Sequence, residues 1–215
     1  MRTPEVTVID YGVGNLLSVQ RGFEHCGAKV ILTSDPEVIL AAHKVVLPGV
    51  GAFPNAMEAL KKFDLVQVIQ EFARARKPLL AICLGMQLLM DESDEFETTS
   101  GLGLIPGRVV AVPNQTVSGE KQKIPHIGWN SLHPISSPDR WIGTLLQENM
   151  LGDAAYFVHS FMAEPSNQIN RVADAIYGGH RISAVISKEN ITGCQFHPEK
   201  SGEVGLKILR RFITQ

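Results

Sequence analysis

This sequence has few cysteines, no long apolar run and no excess of charge of one sign, and each shortage removes a class of protein. Cys26, Cys83 and Cys194 are its three cysteines, far apart and without a Cys-x-x-Cys spacing. That speaks against both a disulfide framework and a cysteine-built zinc site, so no metal is expected. A reducing compartment fits such a chain and would keep a reactive thiol free. No apolar stretch approaches the roughly 18 residues of a membrane span, and Met1-Arg2-Thr3-Pro4-Glu5 runs directly into a strand-like segment. A cytoplasmic location is therefore expected. A net charge of −2 provides no basic excess to attract phosphate backbones, so neither nucleic acid nor a membrane is an expected partner. Internal repeats and low-complexity linkers are also missing.

What is present is a chain of 215 residues, 44% of them hydrophobic, which predicts one domain over 1–215 with a substantial core. Apolar runs at Val6–Ile9, Lys29–Leu32, Lys44–Leu47 and Leu79–Ile82 alternate with stretches of helical spacing at 16–24 and 64–76. Leu65, Val68, Ile69 and Phe72 fall at i, i+3, i+4 and i+7, so one face of that helix is core. The rhythm is βαβ and predicts a mostly parallel sheet with helices on both faces and ligands at the carboxyl ends of its strands. Strand-like segments at 108–112, 155–158, 182–186 and 191–196 are separated by turn-rich pieces and predict an added antiparallel portion. A closing helix is expected over Val204–Ile213, and the acidic stretch Asp91–Ser100 reads as a solvated loop.

Three residues form a candidate catalytic group. Cys83 follows the strand-like Pro78-Leu79-Leu80-Ala81-Ile82 and precedes the helix-like Leu84-Gly85-Met86-Gln87-Leu88-Leu89-Met90. A cysteine on that tight turn faces the first free N–H groups of the helix, which favour thiolate over thiol. Near the C-terminus, His197 and Glu199 flank Pro198. On an extended segment their side chains point the same way, so the carboxylate can orient the ring. Spacing alone leaves Glu199 equally open to being a solvated charge beside Lys200; Pro198 favours the extended arrangement. Cys26 and Cys194 are taken as structural, and His25, His43, His133 and His180 as surface histidines. Gly49-Val50-Gly51 follows a strand, and its two glycines would let the Val50 backbone adopt conformations closed to other residues and supply an N–H to a developing oxyanion. Gln87 lies one helical turn beyond Cys83 and can reach the same pocket as a substrate-recognising amide. Asp10-Tyr11-Gly12-Val13-Gly14-Asn15-Leu16-Leu17 has the first two glycines of a dinucleotide loop but Leu17 in place of the third, which speaks against a nicotinamide cofactor. No cofactor is expected.

The Cys83 elbow, Phe196-His197-Pro198-Glu199, Leu47-Pro48-Gly49-Val50-Gly51-Ala52-Phe53 and Pro125-His126-Ile127-Gly128-Trp129-Asn130, in that combination, resemble the class I glutamine amidotransferase family over nearly the whole chain. The resemblance implies a flavodoxin-like α/β fold and hydrolysis of L-glutamine by Cys83, His197 and Glu199. It implies an oxyanion hole from the N–H groups of Val50 and Leu84, and a substrate pocket that includes Gly51, Gln87, Ser160 and Phe161. Glu95 stands where the family often has a carboxylate near the substrate amino group, although Phe96 departs from the usual pattern. His159, in Tyr156–Phe161, is the rival base, and the resemblance gives its segment a place beside the substrate instead. The last two of the four segments are similar to the branch that supplies ammonia in histidine biosynthesis to a separate (βα)8-barrel synthase chain, giving a heterodimer with Asn15, Trp129 and Lys200 at the interface. Glutaminases of other synthases, and a redox-sensing flavodoxin-like module, are the alternatives; a sensor has no need for Glu199.

Overall fold

The computed structural model describes residues 3–215; Met1 and Arg2, the start of the segment read as leading into the first strand, lie outside the described residues. The first half alternates as expected: β1 (Glu5–Ile9), α1 (Leu16–His25), β2 (Lys29–Thr33), α2 (Pro36–Ala41), β3 (Val45–Leu47), α3 (Phe53–Lys62), α4 (Leu65–Arg74), β4 (Leu79–Ile82) and α5 (Leu84–Leu88). The periodic stretch at 64–76 is α4, and its predicted stripe of Leu65, Val68, Ile69 and Phe72 is buried. Each such side chain contributes about 1.5–3 kcal/mol by leaving water. The helix α3, which starts beside Pro54, was not anticipated. Its buried Phe53, Ala56, Met57 and Leu60 have the same spacing.

The second half supplies β5 (Glu92–Ser93), β6 (Thr99–Ser100), β7 (Gly107–Ala111), β8 (His126–Ser131), β9 (His133–Pro134), β10 (Ala154–His159), β11 (Phe161–Pro165), β12 (Arg171–Tyr177), β13 (His180–Lys188), β14 (Ile191–Cys194) and α6 (Gly202–Thr214). An eight-stranded sheet runs β2-β1-β3-β4-β14-β13-β12-β9. Its first five strands are parallel and the remaining pairings antiparallel. The parallel part is a flavodoxin-like order. Two small sheets, β10-β8 and β11-β7-β5-β6, accompany it. Apolar clusters lie on both faces of the main sheet, one including Leu47, Met57, Phe72 and Met86, the other Phe23, Phe157, Phe196 and Phe212.

The acidic stretch is not the solvated loop its composition predicted. It holds β5 and β6, it buries Ser93 and Glu95, and Asp91 Oδ2 accepts the Gly107 N–H at 2.9 Å. Carboxylates that find backbone donors lose less on leaving water, and composition does not register such donors. Among the described residues no helix is long and apolar enough to cross a membrane.

Candidate active site

The elbow is built by close packing at the ends of two strands. The Cys83 N–H donates to Cys194 O at 2.7 Å, the last rung between β4 and β14. The chain then turns sharply, with Cys83 at φ 56° and ψ −112°, a conformation that costs a side-chain-bearing residue on the order of 1–3 kcal/mol. Gly85 is required immediately after, because a Cβ there would stand 2.0 Å from Leu47 O. The short α5 therefore sits directly on the end of β3.

His197 reaches Cys83 through sheet order. β14 pairs in parallel with β4, Cys194 opposite Ile82, so both chains leave the same edge side by side. The His197 N–H donates to Tyr156 O at 3.0 Å. Beyond it the extended reading fails: Pro198–Lys200 forms one 3-10 turn, and this turn, rather than strand alternation, returns the carboxylate to the ring. His197 Nδ1 lies 2.8 Å from Glu199 Oε1, with the two side chains 3% and 1% exposed. Glu199 is thus no solvated charge, and its Oε2 is buried without a partner. Burial opposes the His197 imidazolium, but hydrogen bonds and charge from Cys83 and Glu199 outweigh it and raise the ring to about 10. The ring therefore carries its proton at neutral pH.

A cavity of about 280 Å³ opens over these groups, lined by Cys83, His197, Val50, Gly51, Leu84, Gln87, Glu95, Ser160 and Phe161, together with Pro125, Val158 and His159. The structure so brings together, around one cavity, every expected catalytic, oxyanion and substrate residue except Glu199, which stands behind His197. A larger recess of about 620 Å³, which includes Arg108, Glu164 and Arg171, is lined by no cysteine or histidine. Gln87 is not a free amide. Its Nε2 donates to Phe161 O at 2.9 Å and to Gln195 Oε1 at 3.0 Å, so the oxygen is the end left for a ligand. Glu95 Oε2 accepts the Phe53 N–H at 2.7 Å, at the start of α3.

The Pro48–Gly51 segment has one free glycine rather than two. Gly49 is packed in, since a Cβ there would lie 2.9 Å from the Tyr11 hydroxyl and 3.0 Å from Gly85 N. The same hydroxyl donates to Pro48 O at 2.8 Å. Gly51 sits at φ 97° with nothing around a Cβ. Backbone freedom in this segment therefore resides at Gly51.

Sequence reasoning passed over Tyr11, Gln195 and His126. Gln195 is buried in the strand exit, and its Nε2 approaches Cys83 Sγ at 3.9 Å. A glutamine inside an apolar exit two residues before His197 was the available signal. His126 lies directly opposite His159 across the β8–β10 pair, and its Nδ1 is 2.9 Å from His159 Nε2. His159 Nδ1 is 2.8 Å from Phe161 O. With both nitrogens occupied, His159 is not poised to act on Cys83. Among the described residues no group of histidine, cysteine and carboxylate side chains could hold a metal ion.

A model of the family described as glutamine amidotransferase class-I matches residues 7–215. The chain belongs to that family. It is 54% identical over 208 residues to imidazole glycerol phosphate synthase subunit HisH 1 of Legionella pneumophila (strain Lens), covering 97% of this chain and 98% of that protein. It is 46% identical to subunit HisH of Bacillus cereus, covering 96% and 93%, and 44% identical to subunit HisH of Lactococcus lactis, covering 98% of each. Among solved structures, a glutamine amidotransferase superposes with a TM-score of 0.71 at 13% identity, covering 98% of this chain and 99% of the other. The glutaminase domain of Trypanosoma brucei CTPS with bound acivicin superposes at 0.63 with 14% identity, covering 99% and 95%. These distant likenesses concern the amidotransferase fold.

The three residues expected at an interface lie outside the cavity. Trp129 is 60% exposed, and a Cβ on Gly202 would come within 4.0 Å of its ring, which places it beside the Pro198–Lys200 turn. Lys200 is exposed on that turn. Asn15 is exposed as well, but its Oδ1 accepts the Ser18 N–H at 3.3 Å and caps α1.

Proposed function

We propose that this chain is the glutaminase subunit of an imidazole glycerol phosphate synthase, with Cys83 as nucleophile. The observation that carries the chemistry is that Cys83 and His197 line one cavity while Glu199, behind it, holds His197 Nδ1 at 2.8 Å. The sulfur attacks the glutamine carboxamide carbon, and the negative charge that develops on its oxygen is met by the N–H groups of Val50 and Leu84. His197 already holds a proton, which it gives to the departing nitrogen, so ammonia leaves and a γ-glutamyl thioester remains. Water then attacks the thioester, His197 takes its proton, and glutamate is released as the sulfur returns. Glu199 holds the ring in place through Nδ1. Gly51, Gln87, Glu95, Ser160 and Phe161 bind the amino-acid end of the substrate.

Ammonia passes to a separate (βα)8-barrel subunit, which uses it to make imidazole glycerol phosphate and an aminoimidazole carboxamide ribotide in histidine biosynthesis. Identities of 44–54% over nearly full length to proteins named as subunits of this synthase support that assignment. Asn15, Trp129 and Lys200 lie on the docking face, and the exposed indole is the anchor an interface uses.

The test is glutamate release from glutamine by the chain together with the barrel subunit, for wild type and Cys83→Ala. The variant is expected to lose glutamine-dependent synthesis while synthesis from ammonium persists. Glutamine hydrolysis within tenfold of wild type in Cys83→Ala would remove Cys83 as nucleophile.

A further inference from the structure

A buried chain of hydrogen bonds runs from strand β8 to the substrate edge of the cavity, and none of its middle members has a role in the chemistry above. Asn130 Nδ2 donates to Ile176 O at 2.8 Å and lies 3.2 Å from His126 Nε2. His126 Nδ1 meets His159 Nε2, and His159 Nδ1 meets Phe161 O. The donor order follows from the two ends. A carbonyl oxygen only accepts, so His159 Nδ1 carries a proton; with the ring neutral, its Nε2 accepts and His126 Nδ1 donates. His126 Nε2 is then an acceptor, filled by the Asn130 amide. Both rings are neutral as this order requires, since burial pushes His126 down to about 4 and His159 down to about 3.

The chain ends on an atom that matters. Phe161 O accepts from His159 and also from Gln87 Nε2. Its position fixes two things at once: which end of the Gln87 amide is left for substrate, and how the backbone passes through Ser160 as it leaves β10 for β11. His126 itself has little room to move. It is 2% exposed, stacked on Tyr177 at 4.1 Å and on Phe157 at 4.9 Å between ring centres.

We infer that His126 is a positioning residue for the glutamine pocket, acting through His159 to hold the Phe161 carbonyl and so the orientation of the Gln87 amide. This rests on the assignment of the cavity as the glutamine site. His126 touches no substrate. Its removal leaves His159 Nε2 a buried acceptor without a donor, and His159 then gains by turning away from Phe161 O or by drawing in water.

Two variants separate this role from simple packing. His126→Asn keeps an N–H donor near the place of Nδ1, and His126→Leu keeps bulk without a donor. In the complex with the barrel subunit, His126→Leu should raise the KM for glutamine by about tenfold, the scale of one lost buried hydrogen bond. Its kcat should change by less, and His126→Asn should stay close to wild type in KM. Alkylation of Cys83 by iodoacetamide is expected to stay near the wild-type rate in both. A KM unchanged in His126→Leu, or raised equally in both variants, overturns the proposal. A second measurement needs no variant: nitrogen-15 NMR of the imidazoles in the full-length protein at neutral pH should find His126 and His159 both as neutral Nδ1–H tautomers. An Nε2–H or doubly protonated His159 also overturns it. Failure of the glutaminase assignment would show separately, as no glutamate release by wild type, with the tautomer result still standing.

Discussion

At the residue scale, the histidines divide into two kinds with opposite responses to pH. His197 is raised to about 10 from an ordinary 6.5, so the folded state holds its proton more tightly than the unfolded chain. Its contribution to stability is complete below about pH 6.5 and is lost as pH rises through about 10. His126 and His159 are lowered to about 4 and 3; the unfolded chain binds those protons first, so stability falls as pH drops from about 6.5 toward 4. Urea midpoints measured across pH 4–10 should therefore fall toward both ends. His126→Asn should flatten the acid limb, and His197→Ala the alkaline one. The triad gives a second expectation. Glu199→Gln still offers the ring a hydrogen-bonding partner, so it should retain more glutaminase activity than His197→Ala, by about tenfold or more. The double variant should be little worse than His197→Ala, because groups acting as a unit lose most of their effect with the first deletion. Multiplying effects in that cycle would argue against a shared triad.

At the scale of elements, function is carried by places where strands stop. β3, β4 and β14 are parallel neighbours, and their carboxyl ends supply Gly49-Val50-Gly51, Cys83 and His197. The sharpest of these exits is the elbow, where Cys83 holds a positive φ. A strained backbone at the proposed nucleophile has a measurable signature. Cys83→Ala and Cys83→Gly both abolish thiol chemistry, but only glycine relieves the strain. The glycine variant should unfold at higher urea than the alanine one, by about 1 kcal/mol, the amount left after the entropy cost of glycine is set against relief of the turn. Equal stabilities would mean that the turn costs no more than the roughly 0.5–1 kcal/mol of entropy that glycine loses. Packing sets the other limit on these exits, as Gly85 against Leu47 O and Gly49 against the Tyr11 hydroxyl leave no room for a methyl group.

For the whole molecule, the proposed triad lies next to the face proposed for docking. Glu199 stands on the turn that carries Lys200, and Trp129 lies beside it. A glutaminase open to water at all times would spend glutamine without a user for the ammonia. The free conformation at Gly51 gives a means of avoiding this, because turning one peptide would withdraw the proposed oxyanion donor at Val50, worth about 10²–10³ in rate. The chain alone is therefore expected to be a poor glutaminase, and the ligand-bound complex roughly 10² or more faster. Gly51→Ala should blunt that ratio, because alanine disfavours a φ of 97° and so restricts the turning of that peptide. Glutamate release by the chain alone, by the complex and by the complex with ligand measures it. Full activity in the isolated chain would remove the gate and leave the triad in place.

Much of this was legible along the chain. Periodicity marked α4 down to its buried face, apolar runs marked the four parallel strands of the first half, and the sequence around Cys83 marked a strand-to-helix turn. These are local properties: a helix stripe or an elbow depends on residues within a few positions of one another. The tertiary structure decided what depends on distant neighbours. It was the adjacency of β4 and β14 that set His197 beside Cys83, and the register of β8 on β10 that set His126 opposite His159. Backbone donors elsewhere in the fold buried Glu95 in a stretch whose composition reads as solvated. Sheet order and register come from burying both faces of the sheet at once, so no window of sequence contains them.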